Sequence, residues 1–126
     1  MKKVFLIAML LILQLSCTEE EIKSRPYPRV RTKSEVTDFT GSTAVFHGRI
    51  TYIDSAPITD HGFIWSINNN LSIDSSVKIS LGPKTSTGDF ESEVDYSFQL
   101  GTKYYIRAYA LTDEYTVYGE MIEFIP

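Results

Sequence analysis

The sequence predicts an all-β fold, a sandwich of two antiparallel β-sheets built from seven strands. Three observations predict it. Apolar and polar residues alternate in several segments after residue 28, which is the period of a strand with one buried face. No segment there repeats its apolar residues every 3.6 positions, as an amphipathic helix would. Short clusters of Gly, Pro, Asn, Asp and Ser separate the alternating segments and favour turns.

The strands are predicted from this alternation and from the turns between the segments. In residues 43–51, for example, Ala44, Phe46 and Ile50 share one face. The predicted strands are residues 29–36, 43–51, 58–66, 77–81, 90–98, 104–110 and 118–124. Seven short strands within residues 29–126 is the number expected of an immunoglobulin-like sandwich.

In two predicted strands of the second half of the chain, the sequence indicates which side chains share a face. Residues 90–98 carry acidic and polar side chains opposite their apolar ones, so this strand is predicted to have one face in water. Residues 118–124 place Tyr118, Ile122 and Phe124 together on one face.

The single tryptophan, Trp65, lies in the predicted strand 58–66. An inward-facing Trp commonly fills the core of an immunoglobulin-like sandwich. Burying Phe63 and Trp65 leaves Ile64 on the outside, whereas the opposite orientation buries Ile64 and exposes both rings. Burial of the two rings removes more apolar surface from water, so the sequence favours the first orientation.

Residues 100–110, LGTKYYIRAYA, resemble the F-strand signature of fibronectin type III domains, although the usual Pro of the turn is missing because Gly101 follows Leu100 directly. The resemblance implies that Tyr104 is the corner tyrosine, whose hydroxyl bonds back to the backbone. Three further stretches are similar to a bacterial variant of this domain that is frequent in Bacteroidota surface proteins: Thr43 to Gly48, Ile58 to Phe63, and Tyr118-Gly119. Together they imply a fibronectin type III-like sandwich over residues 29–126, but not an activity, since this fold hosts many functions.

The N-terminal segment has the features of a secretory signal. Lys2 and Lys3 precede an apolar run of twelve residues, which is too short to cross a bilayer core of about 30 Å as a helix. The segment ends in Leu-Gln-Leu-Ser-Cys17, which resembles the lipobox of bacterial lipoprotein signal peptides. That resemblance implies cleavage after residue 16, a diacylglyceryl group on Cys17, and a tether over residues 17–28. An ordinary cleaved signal with a chance Cys is the alternative.

The acidic stretch after Cys17, Thr-Glu-Glu-Glu, resembles the export signal of surface-exposed Bacteroidota lipoproteins. It implies an outer-membrane protein on the cell surface, held to the membrane through lipidated Cys17. The alternative is a solvated acidic tether without a targeting signal.

Motifs for chemistry are missing from the sequence. His47 and His61 lie in predicted strands outside any nucleophile-elbow or HExxH spacing, so no catalytic residue is assigned. The one Cys excludes an intrachain disulfide and a Cys-based metal site, and no EF-hand or phosphate-loop spacing occurs, so neither a metal nor a cofactor is predicted. A formal charge of −4 argues against nucleic-acid binding.

One candidate binding patch emerges from the strand carrying Tyr104. If Tyr104 points inward, Tyr105, Arg107 and Tyr109 face outward in a row, and Tyr115 extends it. Exposed Tyr and Arg residues are typical of surfaces that bind another protein or a glycan, although the same residues can simply cover the sheet. The sequence therefore predicts a non-catalytic binding, adhesion or spacer module. A structural subunit of an outer-membrane assembly and a small hydrolase are the alternatives.

Overall fold

Seven β-strands follow one another in residues 27–126, the part of the chain that this computed structural model describes. They are β1 (Arg29–Thr37), β2 (Thr43–Tyr52), β3 (Asp60–Ser66), β4 (Val77–Ser80), β5 (Gly88–Asp95), β6 (Tyr104–Leu111) and β7 (Thr116–Phe124). Each corresponds to one predicted strand. The largest difference is at β5, which begins two residues earlier and ends three residues earlier than predicted.

The strands form two antiparallel sheets, so the predicted sandwich is confirmed. One sheet has the order β1-β2-β5 and the other the order β4-β3-β6-β7. The sheets approach each other along β1 and β7, where a Cβ added at Gly119 would lie 2.6 Å from the backbone nitrogen of Thr32. Only a residue without a side chain allows this approach, and the Thr32 hydroxyl there accepts a 2.9 Å hydrogen bond from the Ala108 N–H.

The space between the sheets holds the main core. Phe46 packs edge-on against both Phe63 and Trp65, with ring centroids 5.7 and 5.4 Å apart. The inward orientation predicted for Phe63 and Trp65 is confirmed, because both are buried in this cluster. Ile64 lies on the opposite face as predicted, but it is also fully buried, in a second cluster on the outside of the sheet.

A bulge in β7 overturns the predicted face of that strand. Arg107 pairs with Met121 and Tyr109 with Tyr118, so two residues of β7, Gly119 and Glu120, lie opposite one residue of β6. The extra residue reverses the alternation. Consequently Ile122 and Phe124 face the main core, whereas Tyr118 packs in the outer cluster.

The predicted signal peptide and most of the predicted tether, Cys17 included, lie outside the described residues. The tether's last two residues are described and pack on the domain. Pro28 is fully buried, and the Tyr27 ring lies 5.5 Å from the ring of Tyr115. Within residues 27–126, no helix is long and apolar enough to cross a membrane.

The two ends of the sandwich carry different loops. The N-terminal pole carries Tyr27 and the loops 53–59, 81–87 and 112–115. The distal pole carries the loops 38–42 and 96–103, the start of the loop 67–76, and the end of β7.

Candidate functional site

The outer face of the four-stranded sheet, where the binding patch was predicted, is largely covered. The loop 67–76 folds back across it and places Leu71 and Ile73 against Ile64 and Tyr109. The Tyr118 hydroxyl accepts a 3.0 Å hydrogen bond from the Ile73 N–H and so holds the loop in place. A second, smaller hydrophobic core therefore lies outside the sheet.

The predicted row of exposed side chains is consequently wrong for Tyr109, which has no exposed surface. Arg107 is half-buried: its guanidinium lies 5.0 Å from the centre of the Tyr118 ring, and its Nε donates a 2.9 Å hydrogen bond to the Gly119 carbonyl. Tyr115 lies in the loop before β7 and packs on Tyr27 at the N-terminal pole. The four residues do not form one surface, and binding through half-exposed Tyr105, Arg107 and Tyr115 stays a prediction.

Asp60, at the start of β3, is the centre of a polar cluster that the sequence analysis missed. Its Oδ1 accepts hydrogen bonds from the Ser80 hydroxyl at 2.6 Å and from the Gly82 N–H at 2.9 Å, and its Oδ2 accepts one from the Tyr109 hydroxyl at 2.8 Å. The carboxylate thus joins β3, the end of β4 and β6. A single Asp within a predicted strand gives no signal of this role in the sequence.

The hydrogen bonds around Asp60 shift the titration of both acidic groups. Burial raises the pKa of Asp60, but the bonds from Ser80, Tyr109 and Gly82 favour the carboxylate, so its pKa falls below the ordinary 3.8. Burial, and then the bond to Asp60, raise the pKa of the Tyr109 phenol above its ordinary 10.0. The pair is therefore held as a charged acceptor and a neutral donor over the physiological range of pH.

The turn before β6 is pinned by Tyr104. Its hydroxyl accepts a 2.8 Å hydrogen bond from the Gln99 N–H, while its ring is buried against Phe98 at 5.1 Å. Leu100, the first residue of the stretch that resembles the F-strand signature, is 76% exposed. The buried side chain of this turn is Phe98 instead.

The two histidines occupy different environments. His61 is buried, lies edge-on to Phe90 at 4.8 Å, and has its Nδ1 2.7 Å from the Gly82 carbonyl. His47 lies on the outer face of the three-stranded sheet. Its Nε2 is 2.7 Å from the Thr37 hydroxyl and its Nδ1 is 3.3 Å from Glu91 Oε2.

The hydroxyl, imidazole and carboxylate of Thr37, His47 and Glu91 therefore form a chain through opposite ring nitrogens. This is the order of groups that an acyl-transfer site uses. The Glu91 side chain is 68% exposed, so water competes for its contact with the ring. The sequence assigned no chemistry to His47, because the three residues come from three different strands.

A polar depression of about 520 Å³ lies beside β1, whose pairing with β2 shifts register between Thr32 and Val36. It is lined in part by Arg31, Lys33 and Arg49. Each of these cations already has an acidic partner. Lys33 and Arg49 contact Asp89 at 3.0 and 2.9 Å, and Arg31 contacts Glu120 at 3.4 Å. The depression therefore offers little uncompensated positive charge to an anionic ligand.

Metal-binding geometry is not found in the described part of the chain. Over residues 27–126, His, Cys, Asp and Glu side chains form no group of three or more that could hold a metal ion.

The architecture has clear counterparts among solved structures. The sensor domain of the anti-sigma factor RsgI4 in Pseudobacteroides cellulosolvens matches with a TM-score of 0.59 at 12% sequence identity, over 82% of this chain and 96% of that one. The sixth fibronectin type III domain of human fibronectin type III domain containing protein 3 matches with a TM-score of 0.50 at 17% identity, over 85% of this chain and 91% of that one.

The chain has a fibronectin type III-like fold. At these identities the similarity establishes the fold and no activity. No protein-family model and no curated protein matches the sequence.

Proposed function

We propose that this protein is a lipid-anchored lipoprotein of the outer membrane, displayed on the cell surface. Its fibronectin type III-like domain serves as a non-catalytic binding, adhesion or spacer module. The anchor is a diacylglyceryl group on Cys17, and surface complementarity, without chemistry, supplies the function. Two or more acyl chains are needed for stable anchoring, which a lipidated Cys provides without a spanning helix.

The observation that carries the proposal is the position of the tether relative to the domain. Tyr27 and Pro28 are packed at the N-terminal pole, so the chain that leads to Cys17 leaves from that pole. Residues 18–26 number nine and can span at most about 30 Å when extended. A lipid on Cys17 would therefore keep the N-terminal pole within about 30 Å of the membrane.

Several polar side chains of the domain bond to one another or to the backbone, which supports a module without catalysis. The Asp60 carboxylate and the Tyr109 hydroxyl bind each other, and Arg107 is held by Gly119 and Tyr118. The Asp60 carboxylate and the Tyr109 hydroxyl therefore bind within the fold, and Arg107 Nε is already bonded to the Gly119 carbonyl.

Metabolic labelling tests the anchor. Cells that express the full chain should incorporate radiolabelled palmitate into it, and the Cys17→Ser variant should not become labelled. Protease added to intact cells should then degrade the labelled protein, as a surface position requires. Labelling of Cys17→Ser to the same extent, or no labelling of either protein, would overturn the anchor. Degradation only after the cells are lysed would overturn the surface position.

A small hydrolase is the second candidate, and the chain Thr37–His47–Glu91 is the observation that favours it. In this reading the Thr37 oxygen attacks an ester carbonyl while His47 takes the hydroxyl proton, and the alcohol leaves with a proton from His47; water then releases the acid from Thr37. Purified protein should hydrolyse p-nitrophenyl acetate, and His47→Gln should lose this activity while His61→Gln keeps it. Equal rates for the native protein and His47→Gln would reject the hydrolase.

A further inference from the structure

Arg107 differs in its surroundings from the other arginines of residues 27–126. Arg29, Arg31 and Arg49 are exposed, whereas Arg107 is half-buried on the outer face of the four-stranded sheet. None of the ion pairs in this part of the chain includes Arg107. Cations that lose water on burial are usually paired with an acid. No acid of the described residues neutralises this one.

The two acidic residues of β7, the strand beside Arg107, bind other cations. Glu120 lies next to the residue that pairs with Arg107, but its carboxylate contacts Arg31 of β1 at 3.4 Å. Glu123 lies on the same face as Arg107, but its carboxylate contacts Lys103 at 3.5 Å. The charge of the Arg107 guanidinium is therefore open to an acid from another molecule.

The guanidinium of Arg107 is held in place while two of its nitrogens reach solvent. Its Nε donates a 2.9 Å hydrogen bond to the Gly119 carbonyl, and the group lies 5.0 Å from the centre of the Tyr118 ring. The Tyr118 hydroxyl is itself bonded to the Ile73 N–H. In the described part of the chain Nη1 and Nη2 donate no hydrogen bond, and the only buried side-chain nitrogen or oxygen without a partner there is Trp65 Nε1. Both Nη groups therefore lie at the surface.

We propose that Arg107 is a binding site for a carboxylate of a partner protein, an acidic side chain that lies beside apolar residues. The inference rests on the proposed binding function and names the chemistry of its partner. Two accessible Nη groups can donate parallel hydrogen bonds to the two oxygens of one carboxylate. A guanidinium that is already held in place loses less entropy when it binds.

The neighbours of Arg107 favour a protein over a glycan. Met121 pairs directly with Arg107 and is 43% exposed, and half-exposed Tyr105 lies two residues away on the same face. Side chains at such positions are about 5 to 7 Å apart, so the three form one continuous surface. Arg, Tyr and Met are enriched at protein–protein interfaces, and the flexible Met side chain fits irregular apolar surfaces. The Tyr105 ring packs partly against the outer cluster, which leaves less of it for a sugar to stack on.

An NMR titration of the full chain in detergent micelles tests the site. The probe is the peptide acetyl-Leu-Glu-Leu-amide, and the matched control peptide has Gln in place of Glu. We expect the Glu peptide to shift the side-chain nitrogen signals of Arg107 and the methyl signal of Met121 until they saturate. The Gln peptide should bind about tenfold or more weakly, because it lacks the charge. Exposed Arg29 is the internal control and should not shift.

Two variants distinguish a binding role of this surface from a purely structural one. Arg107→Lys keeps the charge but not the planar fork, and it should bind the Glu peptide about tenfold more weakly. Met121→Ala should weaken binding about threefold, whereas Val77→Ala, which truncates an equally exposed apolar side chain on another strand, should bind as the native protein does. Trp65 fluorescence verifies that each variant is folded.

Three results of the titration would overturn the site: no saturable shift at Arg107, equal binding of the two peptides, or an equal shift at Arg29. Tighter binding of glucuronate than of the Glu peptide would replace the protein partner by a glycan. Tighter peptide binding after all three acids of residues 19–21 are changed to Gln would show that the chain's own acidic stretch occupies Arg107. Either result would reject a protein partner.

Palmitate labelling separates this proposal from the anchor. A labelled protein that fails the titration rejects the carboxylate site at Arg107 alone. An unlabelled protein that passes the titration rejects the lipid anchor and leaves the carboxylate site in place.

Discussion

The Tyr109 hydroxyl donates a 2.8 Å hydrogen bond to Asp60 Oδ2 and thereby joins the middle of β6 to the start of β3. Tyr109 has no exposed surface and lies beneath the loop 67–76, so water can reach this bond only from the partly exposed Asp60 side. The bond therefore helps to hold together the second hydrophobic core on the outer face of the four-stranded sheet.

Replacing Tyr109 by Phe tests the strength of this bond. The variant keeps the buried ring but leaves Asp60 without one donor, and hydrogen bonds to charged groups contribute about 1.5–3 kcal/mol. We expect the free energy of unfolding in urea to fall by about that amount. Tyr105→Phe is the matched control on the neighbouring position and should change it by less than about 0.5 kcal/mol. Equal losses in the two variants would contradict the assigned role of the bond.

The dependence of stability on acid pH should reveal Asp60. A carboxyl group whose pKa is lower in the folded than in the unfolded state stabilises the fold above its unfolded pKa, and this stabilisation is lost as the pH falls through the folded pKa. The native protein should therefore lose stability below about pH 4 more steeply than Asp60→Asn. Urea unfolding between pH 6 and pH 2 measures the difference, and parallel curves would show that Asp60 does not titrate in this way.

Gly119→Ala should separate β1 from β7. The added methyl group would lie 2.6 Å from the Thr32 nitrogen and from its hydroxyl, and neither is the end of a flexible side chain. Overpacking of this kind typically costs about 1–3 kcal/mol, and here the bond from Ala108 to Thr32 is also strained. Thermal unfolding checks the prediction, with Glu120→Ala, the exposed neighbour, as the control that should leave the midpoint nearly unchanged.

The fluorescence of Trp65 reports on the main core. Its side chain is 3% exposed and lies between Phe46 and Tyr96, and it is the only Trp of the chain. The folded protein should emit at shorter wavelength than the protein in concentrated urea, and iodide should quench the folded form weakly. Emission at the same wavelength in both states would place the ring in water and contradict the core.

The strands and the main core are determined by the sequence itself. The alternation of apolar and polar residues is a local property of each strand, and together with the turn residues it predicted all seven strands. The larger apolar area of the two rings predicted the inward orientation of Phe63 and Trp65. The faces were predicted correctly wherever the period of two was uninterrupted. At Gly119 the bulge adds a residue, so the face of Tyr118 was wrong although its strand was right.

Only the tertiary structure decided what covers the outside of the sheet. The prediction that Tyr109 is exposed failed because the loop 67–76 returns over it, and nothing local to β6 encodes the path of a loop between two other strands. The hydrogen bond from Ser80 to Asp60 could not be predicted for the same reason, because it joins two strands whose contact depends on the path of the chain between them. Alternation identifies the two faces of a strand, but whether an outward face meets water depends on residues distant in sequence, since burial is a property of the assembled chain.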